Sequence, residues 1–133
     1  MTGVRILAPV DGSDTSERAL RFAAELSRRF EGTIHVVHVT DQQTEATERI
    51  LERAEAILEE EGIPGTPAVS LDLELTFRAS DRVGDDIVAL VEEGEYDHVV
   101  MGHHGTGVVG RALLGSAAET VVRSADVPVT VVP

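Results

Sequence analysis

Short apolar runs alternate with helix-period stripes along the whole chain. Val4 to Val10 is a compact apolar run ending in Pro9-Val10-Asp11-Gly12, and it reads as a buried strand. Behind it, Asp14-x-x-Glu17 has the form of a capping box, and Ala19, Leu20, Ala23, Ala24, Leu26 and Phe30 recur at helical spacing, with Gly32 as the stop. Thr33 to Val39 is β-branched and short, a second strand. Thr44 to Glu61 places Ile50, Leu51, Ala54, Ile57 and Leu58 on one helix face, closed by Gly62 and Pro64. From Val69 to Phe77 apolar and polar residues alternate strictly, which predicts a third strand with one wet face or at an edge. A third helix is predicted over Asp81 to Glu93, with Ile87, Leu90 and Val91 inward and Gly94 after it. Asp97 to Met101 gives a fourth strand, Ala117 to Ala125 a fourth helix, and Val127 to Val132 a fifth strand with Pro128 near its start.

Strands and helices in strict alternation mean an α/β domain, a doubly wound five-stranded parallel sheet with helices on both faces. Right-handed crossovers leave few arrangements, and periodicity alone leaves the strand order open. The 133 residues make one domain, 1–133. A chain this long buries about two-thirds of the surface that it exposes unfolded, and its 42% hydrophobic content fits a packed core.

The longest break in the alternation is Met101 to Ser116, MGHHGTGVVGRALLGS. A strand empties into a loop of glycines at 102, 105, 107 and 110, and a helix opens at Gly115-Ser116. Loops of this length between ordered elements are usually functional. Glycines admit a close approach to the backbone, and a helix N-terminus offers unpaired N–H groups and a positive dipole end. Together they make a phosphate site. It is not a Walker loop, because the chain has no lysine; all 11 basic residues are arginine.

The spacing Gly102-x2-Gly105-x9-Gly115-Ser116 resembles the nucleotide-binding pattern of the universal stress protein family, its ATP-binding branch in particular. The resemblance covers essentially the whole chain. It implies strand order 3-2-1-4-5, as in adenine nucleotide alpha hydrolase-like folds, with the third strand at an edge. Strands 1 and 4 are then neighbours at the point where the winding reverses, and ligands bind beyond the carboxyl ends of strands at such a point. Asp11 follows strand 1 and Gly102 follows strand 4, so both fall on one crevice.

Taken alone, Asp11 caps the first helix or shapes a turn, or accepts from a purine amino group or a ribose hydroxyl. The family's Pro-x-Asp pattern, matched by Pro9-Val10-Asp11, implies contact with the adenosine. The resemblance also sets the residue at Val39, in His38-Val39, against the base; an ordinary core valine is compatible with that. Met101 leads into the loop, and Gly102 and Gly105 would leave room for ribose and phosphate. His104 matches a position before the second glycine and becomes a phosphate or ribose neighbour. Gly115, Ser116 and Ala117 would offer N–H groups to the β- and γ-phosphates, with the Ser116 hydroxyl as a further donor or as a helix cap. The departure is Ala118, where many nucleotide-binding relatives carry a second hydroxyl; AMP and ADP therefore stand beside ATP as ligands. The adjacent His103 and His104 lack partners at metal-ligand spacing, so no metal site is expected. Arg111 is a surface arginine or a phosphate contact.

A formal charge of −13 argues against nucleic acid and anionic membrane partners. Cysteine is absent, which removes disulfides and thiolate chemistry. No apolar run approaches the ~18 residues of a membrane span, and the N-terminal run lacks the marks of a signal peptide; a cytoplasmic protein is expected. The excess of acid with no lysine reads as adaptation to a salty cytoplasm. A nucleotide is repelled by such a protein at low salt, whereas screening shrinks the Debye length to about 3 Å at 1 M salt. The expected function is an adenine nucleotide-binding (ATP, ADP or AMP) regulatory module in stress response, with Mg²⁺ on the phosphates, dimerising through Val127–Val132. No catalytic residue is evident: lysine, a nucleophile–base pair and a general base aimed at a γ-phosphate are all missing. The alternatives are a slow Mg²⁺-dependent ATP hydrolase or phosphotransferase, and a dimeric adaptor without nucleotide.

Overall fold

A computed structural model describes residues 3–40, 42–71, 75–103 and 114–133. Its elements are β1 (Arg5–Pro9), α1 (Asp14–Arg29), β2 (Thr33–Thr40), α2 (Glu45–Glu61), β3 (Ala68–Leu71), α3 (Leu75–Gly94), β4 (His98–Gly102), α4 (Ser116–Ser124) and β5 (Val129–Val132). All strand pairs are parallel, and the sheet runs β3-β2-β1-β4-β5. The expected strand order and the edge position of β3 are both present.

The sheet separates two cores, and the alternation of side chains along each strand decides which residue serves which. Ile6, Ala8 and Val10 pack with Ile34, Val36 and Val100 beneath α1 and α2. Leu7, Val37, Val39, Val99 and Met101 pack with Ile87, Val91, Ala118 and Val121 of α3 and α4. Strands buried on both faces need apolar residues at successive positions, which is why β1, β2 and β4 read as runs and not as alternating patterns.

Three sequence expectations need correction. The third strand is described over Ala68–Leu71, and Leu75 and Phe77 belong to α3, which includes Leu75, six residues before the predicted Asp81. Leu75, Ala79, Val83, Ile87 and Val91 recur every fourth residue, so a helical stripe overlaps the period-two pattern and wins. At α1 the cap is Ser13, whose hydroxyl accepts from the Ser16 amide; Asp14 and Glu17 lie in the first turn instead of forming the box. The left-handed residues after α1 and α3 are Glu31 (φ 50) and Glu95 (φ 55), each next to the glycine expected to stop the helix.

Candidate functional site

Parallel strands put the carboxyl ends of β1, β2 and β4 on one edge, together with the N-termini of the helices that follow. Between β1 and β4 the winding reverses: α1 and α2 cover one face, and α3 and α4 the other. Open α/β sheets take ligands at this switch point.

On the β1 side the chain leaves the sheet through an Asx turn. Asp11 Oδ1 accepts from the Ser13 N–H at 2.9 Å and from the Ser13 hydroxyl at 2.5 Å. Ser13 Oγ in turn accepts from the Ser16 N–H at 3.2 Å and lies 3.2 Å from Thr15 Oγ1. The Ser13 hydroxyl has one proton and a carboxylate only accepts, so that proton goes to Asp11 and Thr15 donates in the pair with Ser13. The Ser16 hydroxyl donates to the Ser13 carbonyl at 3.0 Å. Gly12 makes the turn with φ 86. Asp11 is half-buried, and its Oδ2 has no hydrogen bond among the described residues.

On the β4 side, Gly102 ends the strand against the first turn of α1. A β-carbon there would lie 2.6 Å from Thr15 Oγ1 and 2.8 Å from the Ser16 nitrogen. Close packing against α1 therefore requires a glycine at this position, independently of any ligand. His103 extends the ladder by donating its N–H to the Val132 carbonyl at 2.7 Å, and its own carbonyl accepts from the Gly115 N–H at 3.0 Å. The base of the glycine loop is therefore pinned shut. The same bond corrects an expectation: the Gly115 amide is committed to His103, not to a phosphate. His104, Gly105 and Arg111 lie outside the described residues.

Helix α4 differs from its neighbours in how it begins. Ser13 caps α1, and Thr44 caps α2 through a reciprocal box with Thr47. The N-cap of α4 is Gly115, in extended conformation, with no side-chain cap. Ser116, expected as a possible cap, is instead the first helical residue and exposed. The first-turn amides of Ala117 and Ala118 have no hydrogen-bond partner among the described residues. Among the described residues, α1 and α2 each have one first-turn amide capped by a hydroxyl, and α4 has none.

The remaining expected residues line the same edge but on different faces. Pro9 and Val10 are buried at the end of β1. Val10 packs into the α1/α2 core, whereas Val39 and Met101 are buried in the α3/α4 core. Ala117 is half-buried at the margin of that second core. Ala118 is 2% exposed, so a hydroxyl at this position would have to be accommodated inside a packed face. Sequence reasoning missed Ser13, Thr15 and Ser16, although the run Ser13-Asp14-Thr15-Ser16 right after Asp11-Gly12 carries the signal. Among the described residues no group of three or more His, Asp or Glu could hold a metal ion.

Fold and site together define an open doubly wound α/β protein with its switch point between the first and fourth strands and, among the described residues, a helix without a side-chain cap beside it. A sequence profile of the universal stress protein family matches residues 4–133, and the chain belongs to that family. It is 31% identical to a universal stress protein of Methanocaldococcus jannaschii, over 96% of this chain and 81% of that one. To one of Thermus aquaticus it is also 31% identical, over 96% of each chain. Among solved structures, the universal stress protein of Archaeoglobus fulgidus in complex with dAMP superposes with a TM-score of 0.77 at 28% identity, covering 100% of both chains.

Proposed function

We propose that the crevice binds an adenine nucleotide, its phosphate on the first turn of α4 and its adenosine over the carboxyl ends of β1 and β2, and that the protein acts as a regulatory module in stress response. The observation that carries this reading is the contrast among helix starts: α1 and α2 each cap one first-turn amide with a hydroxyl, whereas α4 has a glycine cap and, among the described residues, no acceptor on the amides of Ala117 and Ala118. A phosphate oxygen is the acceptor such an end favours. The similar Archaeoglobus fulgidus protein was solved with dAMP, which supports the class of ligand. Asp11 Oδ2 is the polar atom that the β1 turn leaves over for a sugar or base. With no carboxylate cluster among the described residues, a Mg²⁺ ion would be held mainly by the phosphates themselves.

A second copy of the chain fits the β5 edge. Each residue from Val129 to Val132 is half-buried, and α1 and α4 flank the strand. Exposed Phe22 lies one turn beyond Arg18, whose Nε donates to the Pro133 carbonyl at 2.8 Å. Open edges are paired or protected in stable proteins, and a two-fold pairing would cover this one.

Mass spectrometry of small molecules released from the purified protein tests the ligand. An adenine nucleotide near one per chain is expected. Release of none, with no uptake on adding AMP or ATP, contradicts the reading.

A further inference from the structure

The turn that carries Asp11 is tied to its neighbouring strand by a side chain. Val10 donates its N–H to the Val37 carbonyl at 2.8 Å, the last backbone rung between β1 and β2. Its carbonyl is taken by His38, whose Nδ1 lies 2.8 Å away. A carbonyl only accepts, so Nδ1 carries the proton whether the ring is neutral or charged. The Val10 carbonyl and the Asp11 N–H belong to one planar peptide unit. Among the described residues, the N–H side is held by a long contact to Ser16 Oγ, 3.4 Å, and the carboxylate by Ser13. Both of those tethers come from within five residues. His38 is 28 residues away, on the strand that also carries Val39.

We propose that His38 is a positioning residue for Asp11: its Nδ1–H, seated on the Val10 carbonyl, fixes where the Asp11 carboxylate stands relative to the end of β2 and so aims Oδ2 into the crevice. The inference rests on the adenine nucleotide reading of that crevice. His38 alternates with Ile34 and Val36, which face α1 and α2, and so lies on the opposite side of the sheet from Val39 and Met101. It acts through the peptide and not by touching the ligand.

The test is a mutant cycle read as AMP affinity, with melting temperature recorded for each variant. An asparagine amide can occupy the place of Nδ1, and a glutamine amide reaches only the place of Nε2. Asp11→Ala is expected to weaken AMP binding about tenfold, the worth of a hydrogen bond to a charged group. His38→Gln should cost about fivefold and His38→Asn less than about twofold, within the coupling range of neighbouring residues. On the Asp11→Ala background, His38→Gln should cost nothing further. Equal losses in His38→Gln and His38→Asn, or the same loss with and without Asp11, overturn the positioning role. A weak Asp11→Ala beside a His38→Gln at full affinity overturns it too, while leaving the nucleotide reading intact. Absence of AMP binding in the unaltered protein removes both.

Discussion

At the scale of single residues, the ends of β1 and β4 are joined to the start of α1 by close approach and by short hydrogen bonds. Gly102 shows this best. Its glycine was legible as part of a spaced pattern, but the reason for it was not, because the atoms that need the space belong to Thr15 and Ser16, nearly ninety positions earlier. Gly102→Ala forces a β-carbon onto the first turn of α1, and overpacking of this kind costs about 1–3 kcal/mol. A lower melting temperature is expected, with AMP affinity falling because the strand end and the Asp11 turn are pushed apart; an unchanged melting temperature would contradict the packing role. His98 gives a second residue-scale expectation. Its Nε2 lies 2.7 Å from Thr130 Oγ1, and burial holds its imidazole below the usual histidine range. The folded chain therefore takes up that proton less readily than the unfolded chain. The stability at stake is present at neutral pH, is lost as pH falls through the unfolded value of about 6.5, and the loss levels off below the folded value. His98→Gln, which keeps a polar atom for Thr130, should show a shallower fall in melting temperature between about pH 7.5 and 5 than the parent. Parallel curves would show that His98 is not buried at a cost.

At the scale of elements, sequence patterns served well where one period stood alone and failed where two overlapped. Strands β1, β2 and β4 and helix α2 emerge within a residue or two of their expected bounds. The segment after Leu71 does not, because Leu75 fits both the period-two run and the four-residue stripe that continues to Val91. Propensity could not arbitrate; packing of α3 on α4 against the sheet did. At the start of α4 the cap is Gly115 and not Ser116, and the Gly115 amide is held by the His103 carbonyl. Hydrogen bonds across a loop of this length are invisible in sequence. Gly115→Asp would supply the missing acceptor from within. Stability should hold or rise by a few tenths of a kcal/mol, the usual difference between an aspartate and a glycine cap, whereas affinity for AMP should drop by more than about tenfold as the new carboxylate occupies and repels at the anion site. Equal binding in parent and variant would show that phosphate sits elsewhere.

At the scale of the whole molecule, the alternation of strands and helices established the class of fold. The strand order came only with the resemblance carried by Pro9-Val10-Asp11 and the glycine spacing, since handedness rules admit more than one order. The charge of −13 is a property of the entire surface, and arginine pairs temper it locally. Arg21 reaches Glu60 and Glu61, Arg28 reaches Glu61, and Arg53 reaches Glu17, tying α1 to α2, while Arg28 also pairs with Glu25 within α1. Exposed pairs contribute little each, and the net repulsion among 24 acidic groups outweighs them at low salt. We propose adaptation to a salty interior, with the melting temperature rising as KCl increases from about 0.1 to 2 M, where the Debye length shrinks from about 10 Å to less than 3 Å; a flat response contradicts it.

The same screening makes calorimetric titration with AMP and ATP across that salt range the most direct test of nucleotide binding. The expected result is one adenine nucleotide per chain, with affinity that holds or rises with KCl, because distant repulsion is screened while the amide contacts at α4 are short. Absence of a binding heat for either nucleotide at every salt concentration, or an affinity that collapses as salt is added, would contradict a site built on the first turn of that helix.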